Sequence, residues 1–487
     1  MRNRPKTSRR MFRFEPLEKR ALLAGNVMAT VTGGELDITG DAAGNSVQVW
    51  QTGADTWKVQ GIATTINGSH ATYLATGVTG NIEANLMAGN NFIKVFNGTV
   101  PGALGITAEG GNDTVQVTNV STGLSTAADS TSLVINAGDG KNTVALSGVI
   151  TSGQTQIISG NGTAVISLAN VTVNAGSVSG SNFVETGNGT AAISFSHVSM
   201  TMGTGDNFVD TGNGTAAISL SHVTMTVSGG DNFVDTGSGK ATIALANVSM
   251  NSAGGDNFVD TGGGTANVAL VNVKMITTNA DNFIDTGNGA AAISLIDVTM
   301  SATNAANFVD TGNGTAAISI SKSTITNSGA GSENFVATGN GTAAISISNS
   351  TITTSGADSE NLLETGSGTA VISLSRVMLA ADGSNEFTMQ GDGKDVVALA
   401  NVTVNGDLAI NTNGGTDAVS LNTVNVGSND LSVEVGPGNL DSLAVVNCTA
   451  GTEEFSDTGG TNGSIVGALN HFATAPLVTG FTNEFGI

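Results

Sequence analysis

Residues 206–230 read DNFVDTGNGTAAISLSHVTMTVSGG, between SNFVETGNGTAAISFSHVSMTMGTG at 181–205 and DNFVDTGSGKATIALANVSMNSAGG at 231–255. These consecutive 25-residue segments are variants of one unit. Its leading Asn recurs at Asn182, Asn207, Asn232, Asn257, Asn282 and Asn307 in steps of 25, then at Asn334 and Asn361 in steps of 27. A unit this short cannot bury a core alone, so it must stack on copies of itself, and a fixed period of this size marks a solenoid.

The apolar pattern inside one unit decides which solenoid. Ala216, Ile218 and Leu220 alternate with other residues, and so do Val223, Met225 and Val227, but the second run has the opposite parity. Alternation is the signature of a strand, and the phase slip at Ser221-His222 marks a corner. Phe208-Val209-Asp210-Thr211 supplies a third strand, after which Gly212-Asn213-Gly214 turns the chain, since Gly and Asn tolerate positive φ. Three short strands and three corners close one coil of a triangular prism. The expected fold is all-β, a right-handed parallel β-helix (β-solenoid) with three short strands and about 25 residues per coil; its hand is the usual one for this architecture. Roughly seventeen coils stacked at about 4.8 Å would make a rod of about 80 Å.

In-register stacking turns equivalent residues into ladders. Phe183, Phe208, Phe233, Phe258, Phe283, Phe308 and Phe335 form an aromatic ladder, continued by Leu362 and Phe387. Ile193, Ile218, Ile243, Ile293 and Ile318 form an aliphatic ladder, and Met200, Met225, Met250, Met275 and Met300 another. All are read as core, where burial of each side chain contributes about 1.5–3 kcal/mol. The Asn ladder is read as stacked amides, hydrogen-bonded to one another along a corner. Sugar binding there would need aromatic platforms nearby, which the sequence does not reveal.

Weaker copies extend the repeat outward. Gly110-Gly111-Asn112-Asp113-Thr114-Val115, Gly138-Asp139-Gly140-Lys141-Asn142-Thr143 and Gly391-Asp392-Gly393-Lys394-Asp395-Val396 all align with the Gly-Asn-Gly-Thr-Ala-Ala run. The expected organisation is a basic export segment at 1–25, atypical first coils at 26–104 holding Trp50, Trp57 and Tyr73, a solenoid body at 105–450 and a C-terminal cap at 451–487.

Composition agrees: 67 Gly and 4% aromatic residues cannot fill a broad globular core, while 39% hydrophobic residues are too many for a disordered chain. Eight of the sixteen basic residues lie in the first twenty positions, and the remainder carries eight basic against thirty-seven acidic residues, a net charge of about −29. Such a body repels nucleic acid and anionic lipid, so neither is an expected partner. No stretch approaches eighteen apolar residues, so no transmembrane segment is expected. The single cysteine, Cys448, excludes an intrachain disulfide and reads as a buried structural thiol.

In the first 25 residues, Ser8-Arg9-Arg10-Met11-Phe12 has a twin-arginine pattern, but Glu15, Glu18, Lys19 and Arg20 interrupt the apolar region that should follow. Ala21-Leu22-Leu23-Ala24 is too short for a signal-peptide core. Phe14-Glu15-Pro16-Leu17-Glu18-Lys19-Arg20-Ala21-Leu22-Leu23 resembles the Leu-Glu-Pro-Arg-x-Leu-Leu N-terminal domain of large planctomycete exported proteins, with Lys19 in place of Pro. The resemblance covers about 25 residues and implies export to the cell surface or beyond.

Two features could carry chemistry. The segments at Gly110–Val115 and Gly391–Val396 resemble the glycine-aspartate nonapeptides of calcium-binding β-rolls, but rolls repeat the motif in tandem. Here it falls once per coil, and Ala191, Ala216 or Ala316 takes the Asp position in central coils, which argues against a calcium array. The second feature is the row Glu185, Asp210, Asp235, Asp260, Asp285 and Asp310, one carboxylate per coil. Carboxylates about 5 Å apart repel by roughly 1 kcal/mol in water and several times that near a protein surface. Either the row faces solvent or cations sit between its members, so Asp210, Asp235, Asp260, Asp285 and Asp310 are the candidate metal ligands and Ca2+ the candidate ion.

Polysaccharide lyases on parallel β-helices need clustered carboxylates and a cationic side chain to stabilise charge. Lys240 and Lys274 are not at equivalent coil positions, and the shared corner of His197 and His222 passes to Asn247, Asn272 and Asp297. No catalytic residue is therefore assigned. The expectation is a non-catalytic, secreted or cell-surface structural or adhesive solenoid presenting polar and acidic faces, with cell-surface or matrix polysaccharide as partner. The alternative is a polysaccharide lyase or hydrolase on the same scaffold.

Overall fold

A computed structural model describes residues 25–123, 131–176, 179–459 and 462–486. The export-like segment, through Ala24, lies outside the described residues. The described chain is all-β, with parallel coils of about 25 residues stacked into a β-solenoid of about 15 turns. The first coil is the long one: a hydrogen bond between neighbouring coils joins Asn45 to Asn91 across 46 residues, whereas Asn91 reaches Asp113 across 22.

The coil 206–230 shows how the local sequence makes three faces. Strand Asn207–Thr211 is the first, and strand Gly214–Val227 bends at His222 into the second and third. His222 has φ 54°, in the left-handed region, and the same corner holds Asn170, His197, Asn247, Asn272, Asp297, Lys322, Asn349, Arg376 and Asn401 at φ between 48° and 55°. Asn and Asp populate this region most readily, which explains their prevalence there. The preceding corner is stricter: Gly214 has φ 134°, and a Cβ on it would lie 2.0 Å from the Gly189 carbonyl oxygen of the coil below.

Coils pair in register, Asn207 with Asn232, Phe208 with Phe233, Val209 with Val234, Asp210 with Asp235 and Thr211 with Thr236. The Ile and Met ladders are core as expected, each member no more than 1% exposed. The Phe ladder is not. Alternation along Asn207–Thr211 turns Asn207, Val209 and Thr211 inward and leaves Phe208 and Asp210 half-buried on the outer face. The core position expected for Phe belongs to Val184, Val209, Val234 and Val259. Phe387 leaves the aromatic ladder altogether: it pairs with Leu363, on the inward column, and is fully buried.

The Asn ladder is built of stacked amides. Asn207, Asn232, Asn257, Asn282 and Asn307 are buried, and each donates its Nδ2 to Oδ1 of the next at 2.8–2.9 Å. The second Nδ2 hydrogen of Asn232 goes to the Asn251 carbonyl at 3.0 Å, and that of Asn257 to the Ile276 carbonyl, also at 3.0 Å. This ties the first face to the end of the third, coil after coil.

The ends differ from the body. Asn26–Thr32 pairs antiparallel with Glu35–Thr39, and Ser46–Gly53 with Thr56–Gly61, before parallel stacking begins on Ile82–Asn85 and Phe92–Val100. Trp57 is fully buried in that first layer. Hairpins at the start occupy strand edges that would otherwise stay open. At the other end, parallel pairing continues from Ser464–Ala468 to Asn483–Phe485.

Candidate functional site

Because Phe and Asp are two residues apart on one strand, the outer face carries two adjacent columns. The rings of Phe208, Phe233, Phe258 and Phe283 stack at 4.7 Å between centroids and within 4° of parallel. Each sandwiched ring covers its neighbours' faces and presents an edge, so the column is a smooth apolar stripe and not a set of sugar platforms.

Beside it stands the acidic row. In-register pairing joins Glu185, Asp210, Asp235, Asp260, Asp285 and Asp310. Burial, then repulsion from Asp260 and Asp210, pushes Asp235 up to about 7. Burial, then Asp285, pushes Asp260 to about 6, and the same causes bring Asp310 to about 6. Asp210 and Asp285 are raised in the same direction, first by burial. The row thus behaves as carboxylates crowded against protein with insufficient countercharge. Among the described residues no group of three or more His, Cys, Asp or Glu could hold a metal ion.

Above Asp310 the row is interrupted at Ala337 and, past Glu364, again at Thr388 and Asn411. Ala337 pairs with Asp310 below and Glu364 above, so one carboxylate is missing from the column. Ala337 points outward yet is only 5% exposed, because it forms the floor of a groove of about 300 Å³. Asp310, Glu364, Phe335, Asn313, Asn340 and Gln390 wall it. Phe335 no longer stacks: its ring is tilted 60° from Phe308 at 5.9 Å. The next residue in that column is Leu362, and Glu386 follows it. Glu364 is raised by burial, then by Glu386 and Glu333.

Two further acidic ladders escape sequence reading. Asp206, Asp231 and Asp256 each accept, on Oδ1, the backbone N–H of the equivalent residue one coil on, at 2.6–2.8 Å. The DNFVD motif therefore holds two acids with different work, the first structural and the second exposed to its like-charged neighbours. The other ladder comprises Asp395, Asp417 and Asp441, each at most 1% exposed. Each lends one oxygen to the N–H of the coil before, at 2.8–2.9 Å.

The same column holds the Asp of the calcium-like segments. Asp113 and Asp395 do not line solvent loops; they point into the interior, at 1% and 0% exposure, on the column that Ala191, Ala216 and Ala316 occupy in central coils. One carboxylate oxygen of each has no hydrogen-bond partner. Burial, opposed by the Ala370 N–H, pushes Asp395 up to about 6.

The histidines stack without forming a metal site. The rings of His197 and His222 lie 4.7 Å apart and 4° from parallel, each with its Nδ1 2.9 Å from the preceding serine hydroxyl. Lys240 pairs with Thr265 and Lys274 with Ser249, so they stand on different faces. Cys448 is buried as expected. No helix of the described chain is long and apolar enough to cross a membrane. No protein family matches this chain, and no curated protein or solved structure matches it either.

Proposed function

We propose that the chain is a non-catalytic structural or adhesive rod of the cell surface or extracellular matrix, binding polysaccharide along its repeated faces. The observation that supports this reading is the continuity of the ladders: from Asn182 to Asn307 every coil repeats the same outward columns in register, with no insertion between them. Contacts that are weak per coil are multiplied when a polymer meets many coils at once. The acidic balance keeps such a β-rich surface soluble.

The test is co-sedimentation with a panel of insoluble polysaccharides, using the full chain and a variant lacking residues 207–256, which removes two coils in phase. Retention on at least one polymer, weaker for the shortened rod, is expected. No retention on any polymer would refute adhesion, and equal retention would refute multiplication by coils.

A second reading, a polysaccharide hydrolase, draws on the groove flanked by Asp310 and Glu364, since two carboxyl groups across a cleft can act as acid and base. Release of reducing ends that disappears in Glu364→Gln would select it over the rod.

A further inference from the structure

We propose that the groove over Ala337 is a discrete binding site for an amino sugar, whose ammonium sits between the Asp310 and Glu364 carboxylates and whose ring lies against Phe335. The site is a departure from the repeat, not a property of it. In the five preceding coils the outward column carries Glu185, Asp210, Asp235, Asp260 and Asp285, and the sixth brings Asp310; only then does Ala337 open a gap.

The gap's chemistry narrows the ligand. Its lining includes two carboxylates and no Lys, Arg or His, so the complement is a cation. Two coil spacings, roughly 9.5 Å, separate the strands that carry Asp310 and Glu364, more than the ~5.6 Å that two N–H···O bonds to one ammonium span, so the ammonium bonds one carboxylate and faces the other across the gap. An ammonium has three donors and no acceptor, which suits a pair of acceptors on opposite sides. A bare metal ion suits it less, because no third carboxylate or imidazole joins the pair in a metal-holding group.

The remaining walls call for more than a point charge. At about 300 Å³ the groove is at the lower end of the ~300–1,000 Å³ range of small-molecule sites. Phe335 lines the groove and is tilted 60° from the Phe308 ring, outside the parallel stack, which makes it the aromatic partner for the C–H groups of a pyranose or for the cation itself. Asn313, Asn340 and Gln390 bring amide donors and acceptors for hydroxyl groups. An amino sugar combines all three demands. Burial with Asp285 and Glu364 nearby raises Asp310 to about 6, and Glu386 and Glu333 help to raise Glu364, so a cation between them would be met by carboxylates short of countercharge. The inference stands whether or not the rod as a whole is adhesive.

Calorimetric titration of the full chain with glucosamine tests it, with N-acetylglucosamine and Ca2+ at matched ionic strength as comparisons. One saturable glucosamine site per chain is expected, with N-acetylglucosamine at least ten-fold weaker. Ala337→Asp restores the residue found at this position in the coils below and fills the gap, so it should lose at least ten-fold in affinity; the added carboxylate joins Asp310 and Glu364 in the crowded row, so a lower melting temperature than the parent's is expected above pH 7. Glu364→Gln should weaken binding several-fold and serves if Ala337→Asp proves unstable. Absence of saturable glucosamine binding overturns the proposal. So does undiminished affinity in both variants, equal affinity for the N-acetylated sugar, or Ca2+ saturating the groove at lower concentration than glucosamine.

Discussion

Replacing Asp235 by Asn should stabilise this protein at pH 8 and have almost no effect at pH 5. Asp235 stands between Asp210 and Asp260 in register. Two unit charges about 4.8 Å apart repel by roughly 0.9 kcal/mol in water and about 3.5 kcal/mol at an effective dielectric constant near 20. The half-buried side chain raised from 3.8 to about 7 would correspond, by linkage, to about 4 kcal/mol. Water reaches these carboxylates and screens them, so about 1–2 kcal/mol is the expected gain on removing the charge. The sign follows from the proton count. The folded-state value is raised, so between about pH 4 and 7 the native chain keeps a proton that the unfolded chain releases. Wild-type stability therefore falls as pH rises through that window and levels off above it. At pH 5 Asp235 is already neutral, and an amide in its place changes little. A stacked repeat opens locally, so the assay is hydrogen exchange of the Asn232–Thr236 amides in EDTA. At pH 8 the variant should exchange about five- to thirty-fold more slowly, the population change that 1–2 kcal/mol produces. Faster exchange in the variant, or a difference independent of pH, would show that the row is not held against its own repulsion.

Three other outcomes are expected. Asn257→Ala should cost about 2–4 kcal/mol in urea unfolding, because it strips an acceptor partner from Asn232 and a donor partner from Asn282 inside the buried ladder; a loss under 1 kcal/mol would mean the amides are dispensable. Phe258→Ala should cost only about 1–2 kcal/mol, the value of its two stacked contacts on the outer face, whereas Met250→Ala should cost about 2–5 kcal/mol as a core truncation; the reverse order would return the Phe ladder to the interior. Millimolar Ca2+ should raise the melting temperature no more than NaCl of equal ionic strength, since the acidic row has no third ligand group to complete a cation site; a larger rise that Asp235→Asn and Asp260→Asn abolish would place ions between the carboxylates.

The coil, its corners and its aliphatic core were legible because stacking imposes them position by position. An invariant step of 25 residues leaves no other way to bury Ile218 and Met225, and the parity slip beside His222 coincides with a left-handed residue. The Phe ladder lies outside the core because parity along the strand outranks hydrophobicity. Phe208 and Asp210 are two apart on one strand, so they share a face, and Asn207, Val209 and Thr211 take the inner one. Val209, shorter and less conspicuous, had the better claim to the core. The alignment of Asp395 with the Ala column was legible from the glycine pattern, but that this column faces inward was not read from it.

The candidate site was hidden by a different cause. In a repeat protein the conspicuous residues are those that recur, and recurrence is what stacking demands of a ladder whether or not the ladder binds anything. Information about a particular ligand has to reside where a column departs from its neighbours without loss of register. By that standard Ala337 carries more than Asp210 or Asp260: the backbone pairing through Asn307, Asn334 and Asn361 is unbroken while the side chain between Asp310 and Glu364 is removed. The two-residue lengthening of the same coils, the tilt of Phe335 and the end of the aromatic column at Leu362 fall within this one stretch. Stacking alone requires none of these changes, and Ala337 and the tilted Phe335 meet at the walls of one groove.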